Sequence, residues 1–379
     1  METMKSANDL FKSLKKYVQR HKTSSSTIHH VISQMSASHL KSKHRKYLQS
    51  KLHGRYMDER ISKETKDYNR VCELSFSYQN RVVNFVYLYK SKTTTRMLVP
   101  KKAKHLLWLL ITLLDTFTTI KPLERELDII LVDCKFKKKY DIQTLRGDTD
   151  VHPLGPWEIN SGFTVKYLER PYSYILIYRR EEMAKVLIHE LIHFMDLDSS
   201  NMGRDGLLKE FFGYDETDRS LEINEAYTDT LACYINTYIY HLLTGQSFAE
   251  LIATEKAHIM NQAVKILNLY GSFAADASSG YIWKPRSPAL KERSHAISYY
   301  VLKALLFCNL KSFLTMVKSQ KYVLHDPTPF VEMIEHELFH HGSLFWKTMK
   351  TQYVSFVKNG TRHDTSLRMS SLDIIDVVA

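Results

Sequence analysis

Three textures follow one another along the chain. Up to about residue 70 the sequence is polar with a helical period, broken by the Ser/Thr cluster Thr23–Thr27. Short runs rich in β-branched and aromatic residues then take over, and LSFSYQN and RVVNFVYLYK read as strands. Pro100 opens a long helix over KKAKHLLWLLITLLDTF. ELDIILVDC, Glu126 to Cys134, is a strand with a short apolar core. INSGFTVKYLE and YSYILIYRR are two more, the second ending near Arg179. EEMAKVLIHELIHFMDLD follows as a helix, and Glu181 and Glu182 suit its positive first turn. The second half of that helix is apolar nearly all round, which marks a helix inside the domain. From Asn201 onward the pattern is mostly helical, and LEINEAYTDTLACYINTYIYHLLTG ends at a capping Gly245. Strands, a central helix, then a helical half predict an α+β fold. The expected segments are 1–66, a basic helical region; 67–200, strand-rich and ending in the central helix; and 201–379, helical.

Composition adds a compartment and a class of partner. With 379 residues, 44% hydrophobic, the chain is long enough for one large core or two ordinary ones. Its 12% aromatic content excludes a disordered protein. Cys72, Cys134, Cys233 and Cys308 form no C-x-x-C pair and lie in apolar surroundings. They read as reduced core thiols, which fits an intracellular location, cytoplasmic or nuclear. The N-terminus has no apolar stretch of the kind a secretory signal needs. The most apolar run, Leu106 to Leu114, is far too short to span a bilayer, so no transmembrane segment is expected. The net charge of +12 is concentrated near the N-terminus, in KSLKKYVQRHK and LKSKHRKYLQSKLHGR. This basic region suits a solvated arm, an acidic partner or nucleic acid.

The chemistry sits in two copies of one spacing. VLIHELIHFMD holds His189, Glu190 and His193 as H-E-x-x-H, and IEHELFHHG holds His336, Glu337 and His340. Positions i and i+4 share a helix face, so His189 and His193 can point at one metal ion. Glu190, turned about 100° from His189, can take a proton from a water on that ion. A catalytic zinc needs a third protein ligand and an open position. INEAYTD supplies Glu225 as the candidate ligand and, on the same helix face, Asp229. Asp229 can accept the free ring N–H of a ligand histidine and fix its tautomer. Glu222 competes with Glu225 for the ligand place. The second motif is a poorer candidate. Glu335 and His341 flank it where apolar neighbours are expected, and nothing like INEAYTD follows it.

HELIH followed by NEAYTD resembles the gluzincin metallopeptidases, the thermolysin-like branch of the zincins, whose pattern is H-E-x-x-H followed by N-E-x-x-x-D. The resemblance implies a zincin-like fold, one zinc ion per chain, His189, His193 and Glu225 as ligands, Glu190 as general base and Asp229 behind a ligand. It rests on these two motifs, and the gap between them is longer than in thermolysin, with NMGRDGLLKEFFGYDETDR as an inserted loop.

The rest of the expected site is less sharply drawn. RSHAISYY offers His295 and Tyr300, or Tyr299, to stabilise an oxyanion. His295-x-x-Ser298 resembles the downstream histidine motif of thermolysin-like enzymes, with Tyr299 where they carry Gly. Asp196 and Asp198 near the end of the motif helix need a partner, Arg204 or a ligand histidine, with Asp196 the candidate behind the ligands. INSGFTVKY or YSYILIYRR would hold the substrate backbone, with Gly162 permitting close approach. The expected function is hydrolysis of a polypeptide by a zinc endopeptidase. One rival is a carboxypeptidase trimming acidic tails, with Arg179, Arg180, Arg286 or Arg293 holding the terminal carboxylate. Another is a nucleic-acid-associated protein whose protease acts on bound proteins.

Overall fold

The five β-branched and aromatic runs between residues 70 and 177, with a short strand at residues 36–39, assemble into one six-stranded mixed sheet. The strands are β1 (Ser36–His39), β2 (Arg70–Tyr78), β3 (Arg81–Tyr89), β4 (Glu126–Val132), β5 (Gly162–Lys166) and β6 (Tyr172–Ile177). Their order across the sheet is β1-β2-β3-β4-β6-β5. β3, β4 and β6 run parallel, while β1, β2 and β5 join antiparallel. The structure, a computed structural model, describes residues 9–22, 27–51, 57, 59–92, 98–140, 154–167, 172–198, 206–214, 221–276, 280–285, 294–340, 342–358 and 364–377.

Alternation along the central strands separates two apolar layers. Leu127, Ile129, Leu131, Ile175 and Ile177 face the larger core, while Ile130, Val132 and Leu176 face a smaller one closed by Ile61 and Tyr68. The larger core is built on α5 (Lys101–Phe117), in which every residue from Leu106 to Leu114 is buried. Among the described residues four helices precede it: α1 (Asp9–Lys22), α2 (Thr27–Ser33), α3 (Ser42–Lys51) and α4 (Glu59–Thr65). α6 (Met183–Phe194) follows β6 and packs on β5 and β6. After α7 (Gly206–Phe212), the long α8 (Ile223–Thr244) lies against α6 and ends at Gly245, whose φ of 74° is the left-handed cap expected there. α9 (Phe248–Tyr270), a π-helical turn (Ile297–Leu302) and α10 (Lys303–Cys308) complete the layer behind α8. α11 (Leu310–Ser319), α12 (Thr328–Phe339) and α13 (Leu344–Lys358) extend it. This is the α+β arrangement expected from the order of textures.

Some expectations change. Glu181 and Glu182 are not in the first turn of α6: Glu182 caps it from a left-handed conformation, φ 61°, and its buried carboxylate pairs with Lys138 at 3.4 Å. The helical C-terminal half contains a hairpin, β7 (Gly271–Asp276) and β8 (Gly280–Pro285). The basic N-terminal stretch is not a solvated arm throughout, because Leu10, Leu14 and Val18 of α1 are buried in the larger core and β1 extends the sheet. The expected inserted loop holds α7, and its remaining residues outside 206–214 lie outside the described residues, as do 23–26 of the Ser/Thr cluster. All four cysteines are buried and free. Among the described residues no single helix is long and apolar enough to cross a membrane.

Candidate metal centre

α6 carries the first two groups. His189 and His193, one turn apart, bring their Nε2 atoms to 3.0 Å. Glu225, in the first turn of α8, places Oε2 3.1 Å from His189 Nε2 and 3.3 Å from His193 Nε2. Three metal-ligating side chains from two packed helices thus converge, with all ligand atoms within 4.8 Å of one another, a group able to hold a metal ion. Each imidazole is held from behind by a carboxylate. His189 Nδ1 lies 3.1 Å from Asp229 Oδ1, and His193 Nδ1 lies 2.7 Å from Asp198 Oδ2. A proton on Nδ1 donated to Asp229 leaves the Nε2 lone pair of His189 facing Glu225, and Nδ1 of His193 donates likewise to Asp198. Burial pushes His189 down to about 3. It opposes the charge on His193 too, but Asp198 and Glu225 outweigh it and hold His193 well above its usual value. Glu225 is likewise buried, and the two histidines hold its carboxyl well below the usual range.

Glu190 stands beside this group. Its Oε2 accepts a hydrogen bond from Thr164 Oγ1 at 2.8 Å. Burial pushes Glu190 up to about 7, where a carboxylate can both take and release a proton near neutrality. Thr164 belongs to β5, which ends the sheet as an edge strand. A cleft of about 430 Å³ opens between β5 and the cluster, with Phe163, Thr164, Asn224, His295 and Tyr299 on its walls. Gly162 was expected to let a substrate backbone come close, but the close approach that the structure shows there is internal, against β6 and α6. A Cβ there would come 2.9 Å from the Leu176 carbonyl oxygen and 3.1 Å from Val186 Cγ1.

The structure brings His189, Glu190, His193, Glu225, Asp229 and His295 together and leaves Tyr300 out. Tyr300 is fully buried and its hydroxyl donates to the Leu367 carbonyl at 2.6 Å. Neighbours on a helical turn point in different directions, and it is Tyr299 that faces the cleft, with its ring centroid 5.8 Å from that of His189. His295 lies 4.0 Å from Glu222, and Glu222, Glu225 and His295 form a second group able to hold a metal ion. The place expected for Asp196 belongs to Asp198. Asp196 adopts φ 50° just after α6 and pairs with Lys121 and Lys166, while Asp198 returns to His193. Arg204 lies outside the described residues.

Lys185 and Lys303 were not expected at all. Both are buried on Asp229, Lys303 at 2.7 Å. The only sequence signal for Lys185 is a lysine one turn before His189 on an otherwise apolar helix. Of the arginines expected for a carboxypeptidase, Arg179 is buried and donates to the backbone of Trp157 and Asn160, and Arg180 pairs with Asp133. Arg286 and Arg293 lie outside the described residues. The second H-E-x-x-H starts on α12 with His336 73% exposed and runs off its end, His340 being the extended C-cap, and among the described residues neither His336 nor His340 joins a group able to hold a metal ion.

No family model matches the chain, and no solved structure matches it. It is 25% identical over 111 residues to an uncharacterized protein of Acanthamoeba polyphaga mimivirus. The match spans 27% of this chain and 28% of that protein.

Proposed function

We propose that the chain is a zinc-dependent metallopeptidase with a zincin-like fold and a gluzincin-type site. The observation that carries this reading is the convergence of His189, His193 and Glu225, with Glu190 beside them, under an edge strand. Two imidazole nitrogens and a carboxylate oxygen are a common donor set for catalytic zinc. Their separations of 3.0, 3.1 and 3.3 Å are close to the roughly 3.3 Å that tetrahedral bonds of about 2.0–2.1 Å give. The carboxylates behind both imidazoles favour this group over the one containing His295.

When bound, zinc supplies a Lewis acid and a water acidic enough to attack a peptide carbonyl near neutral pH. The residues around it divide the remaining work. Glu190 takes the proton of the attacking water and hands it to the leaving amine, and Thr164 holds its carboxylate in place. β5 offers backbone N–H and C=O groups along the cleft, where an extended polypeptide substrate can add as a further strand. Tyr299 and His295 stand on the cleft wall as donors for the oxyanion.

Glu190→Gln keeps the shape and removes the base. Hydrolysis of an internally quenched peptide should fall by about 10²–10⁴-fold while the metal stays bound. Wild-type turnover in Glu190→Gln would refute the reading.

A further inference from the structure

A second cavity, of about 660 Å³, lies away from the zinc ligands. It sits at the carboxyl ends of the parallel strands. Tyr87 and Tyr89 close β3, Asp133 follows β4, and Arg180 lies three residues beyond β6. In sheets built from parallel strands, this end is where ligands bind. Its volume falls within the roughly 300–1,000 Å³ of small-molecule sites.

The lining is strongly basic. Lys102, Lys135, Lys137, Arg180 and Arg368 contribute five cationic side chains, against the three carboxylates of Asp133, Glu181 and Asp373. Two of those carboxylates are engaged, Asp133 by Arg180 and Lys102 and Glu181 by Arg368. Among the described residues Lys137 makes no ion pair, and its side chain is exposed at the rim. The first turn of α5 also meets the cavity. Pro100 caps it without a side-chain hydrogen bond, so its leading N–H groups add positive potential toward the same space. Tyr89 offers a partly exposed ring at the cavity, backed by the buried Tyr87, their ring centroids 5.8 Å apart. A net excess of cations, a helix N-terminus and the ring of Tyr89 share one open space.

We propose that this cavity binds the phosphate groups of a small phosphorylated ligand. The rim lysines and the α5 N-terminus hold the phosphates, and Tyr89 covers any ring attached to them. The inference stands independently of the metal centre.

Isothermal titration calorimetry on the full chain at low ionic strength tests it, with pyrophosphate and ATP as separate probes. Three proteins are compared: wild type, Lys135→Glu/Lys137→Glu, and Lys347→Glu, an exposed charge reversal on α13. The first two sites are also exposed, so both variants keep the fold. Binding should weaken at least tenfold in the double variant and stay unchanged in Lys347→Glu. Tighter binding of ATP than of pyrophosphate assigns the source to a nucleotide, and equal binding assigns it to a phosphate chain alone. Absence of binding at millimolar probe, or equal affinity in all three proteins, overturns the proposal.

Discussion

At the scale of single residues, buried charge decides what the candidate centre can do. Asp229 faces His189, Lys185 and Lys303 at once, so its hold on the imidazole is tempered by two cations. Burial pushes Lys185 down to about 7. Nearby, Lys138 and Glu182 form a fully buried pair. Burial opposes the Glu182 charge, but Lys138, Lys185 and Arg368 outweigh it and hold the carboxyl below its usual 4.5. Burial pushes Lys138 down to about 8, so both partners are charged between roughly those limits. A depressed carboxyl contributes stability that is complete above pH 4.5 and is lost as pH falls through its folded value. Glu182→Gln leaves Lys138 buried without its partner and should cost about 3–5 kcal/mol at pH 7. Urea melts at pH 7 and pH 3 check this: the gap between wild type and variant should shrink in acid, and an equal gap at both would contradict it. His189 and His193 were legible because i,i+4 spacing on a helix is geometry written in the sequence, Glu190 because it sits between them, and Glu225 only through the resemblance of NEAYTD to the N-E-x-x-x-D pattern. Asp198 was legible only as a carboxylate in need of a partner, Arg204 or a ligand histidine, because the left-handed turn at Asp196 that returns it to His193 leaves no spacing rule. The lysines were not, because a charge inside an apolar helix reads as a solvated one until its partner, 44 or 74 positions away, is known.

At the scale of elements, β5 and α6 must pack closely to set Thr164 against Glu190. Gly162, two residues before Thr164 on β5, is where that packing is tightest. Gly162→Ala forces a Cβ against the β6 backbone, which cannot swing aside as a side chain can. A loss of about 1–3 kcal/mol is expected, with reduced peptide hydrolysis as Thr164 shifts. Thermal melting and a peptide assay check both, and wild-type values in the two would contradict the close approach. β2 to β6 of the large sheet were legible from their β-branched and aromatic runs, whereas β1 was not, because SASH has no β-branched residue and lies in a stretch that reads as helical. The β7–β8 hairpin was not, because β7 follows α9 without a break and GSFAAD alternates weakly. The cluster DASSG before YIW was the available turn signal. The π-helical turn at Ile297–Leu302 explains why choosing between Tyr299 and Tyr300 failed on ordinary helical spacing.

At the scale of the whole molecule, the three textures of the sequence share one core. It includes Leu10 from the basic region, Leu107 and Ile188 from the strand-rich segment and Ile374 near the C-terminus. Charge on the outer face of α1 hid the buried spacing of Leu10, Leu14 and Val18, which is why composition suggested an arm. The centre depends on this union, since His189 and His193 come from one expected segment and Glu225 from the next. The most direct test is elemental analysis of purified wild type, Glu225→Ala and His336→Ala. About one zinc per chain, lost in Glu225→Ala and kept in His336→Ala, is the predicted result. Zinc kept in Glu225→Ala and lost in His336→Ala would move the metal to the second H-E-x-x-H and contradict the account.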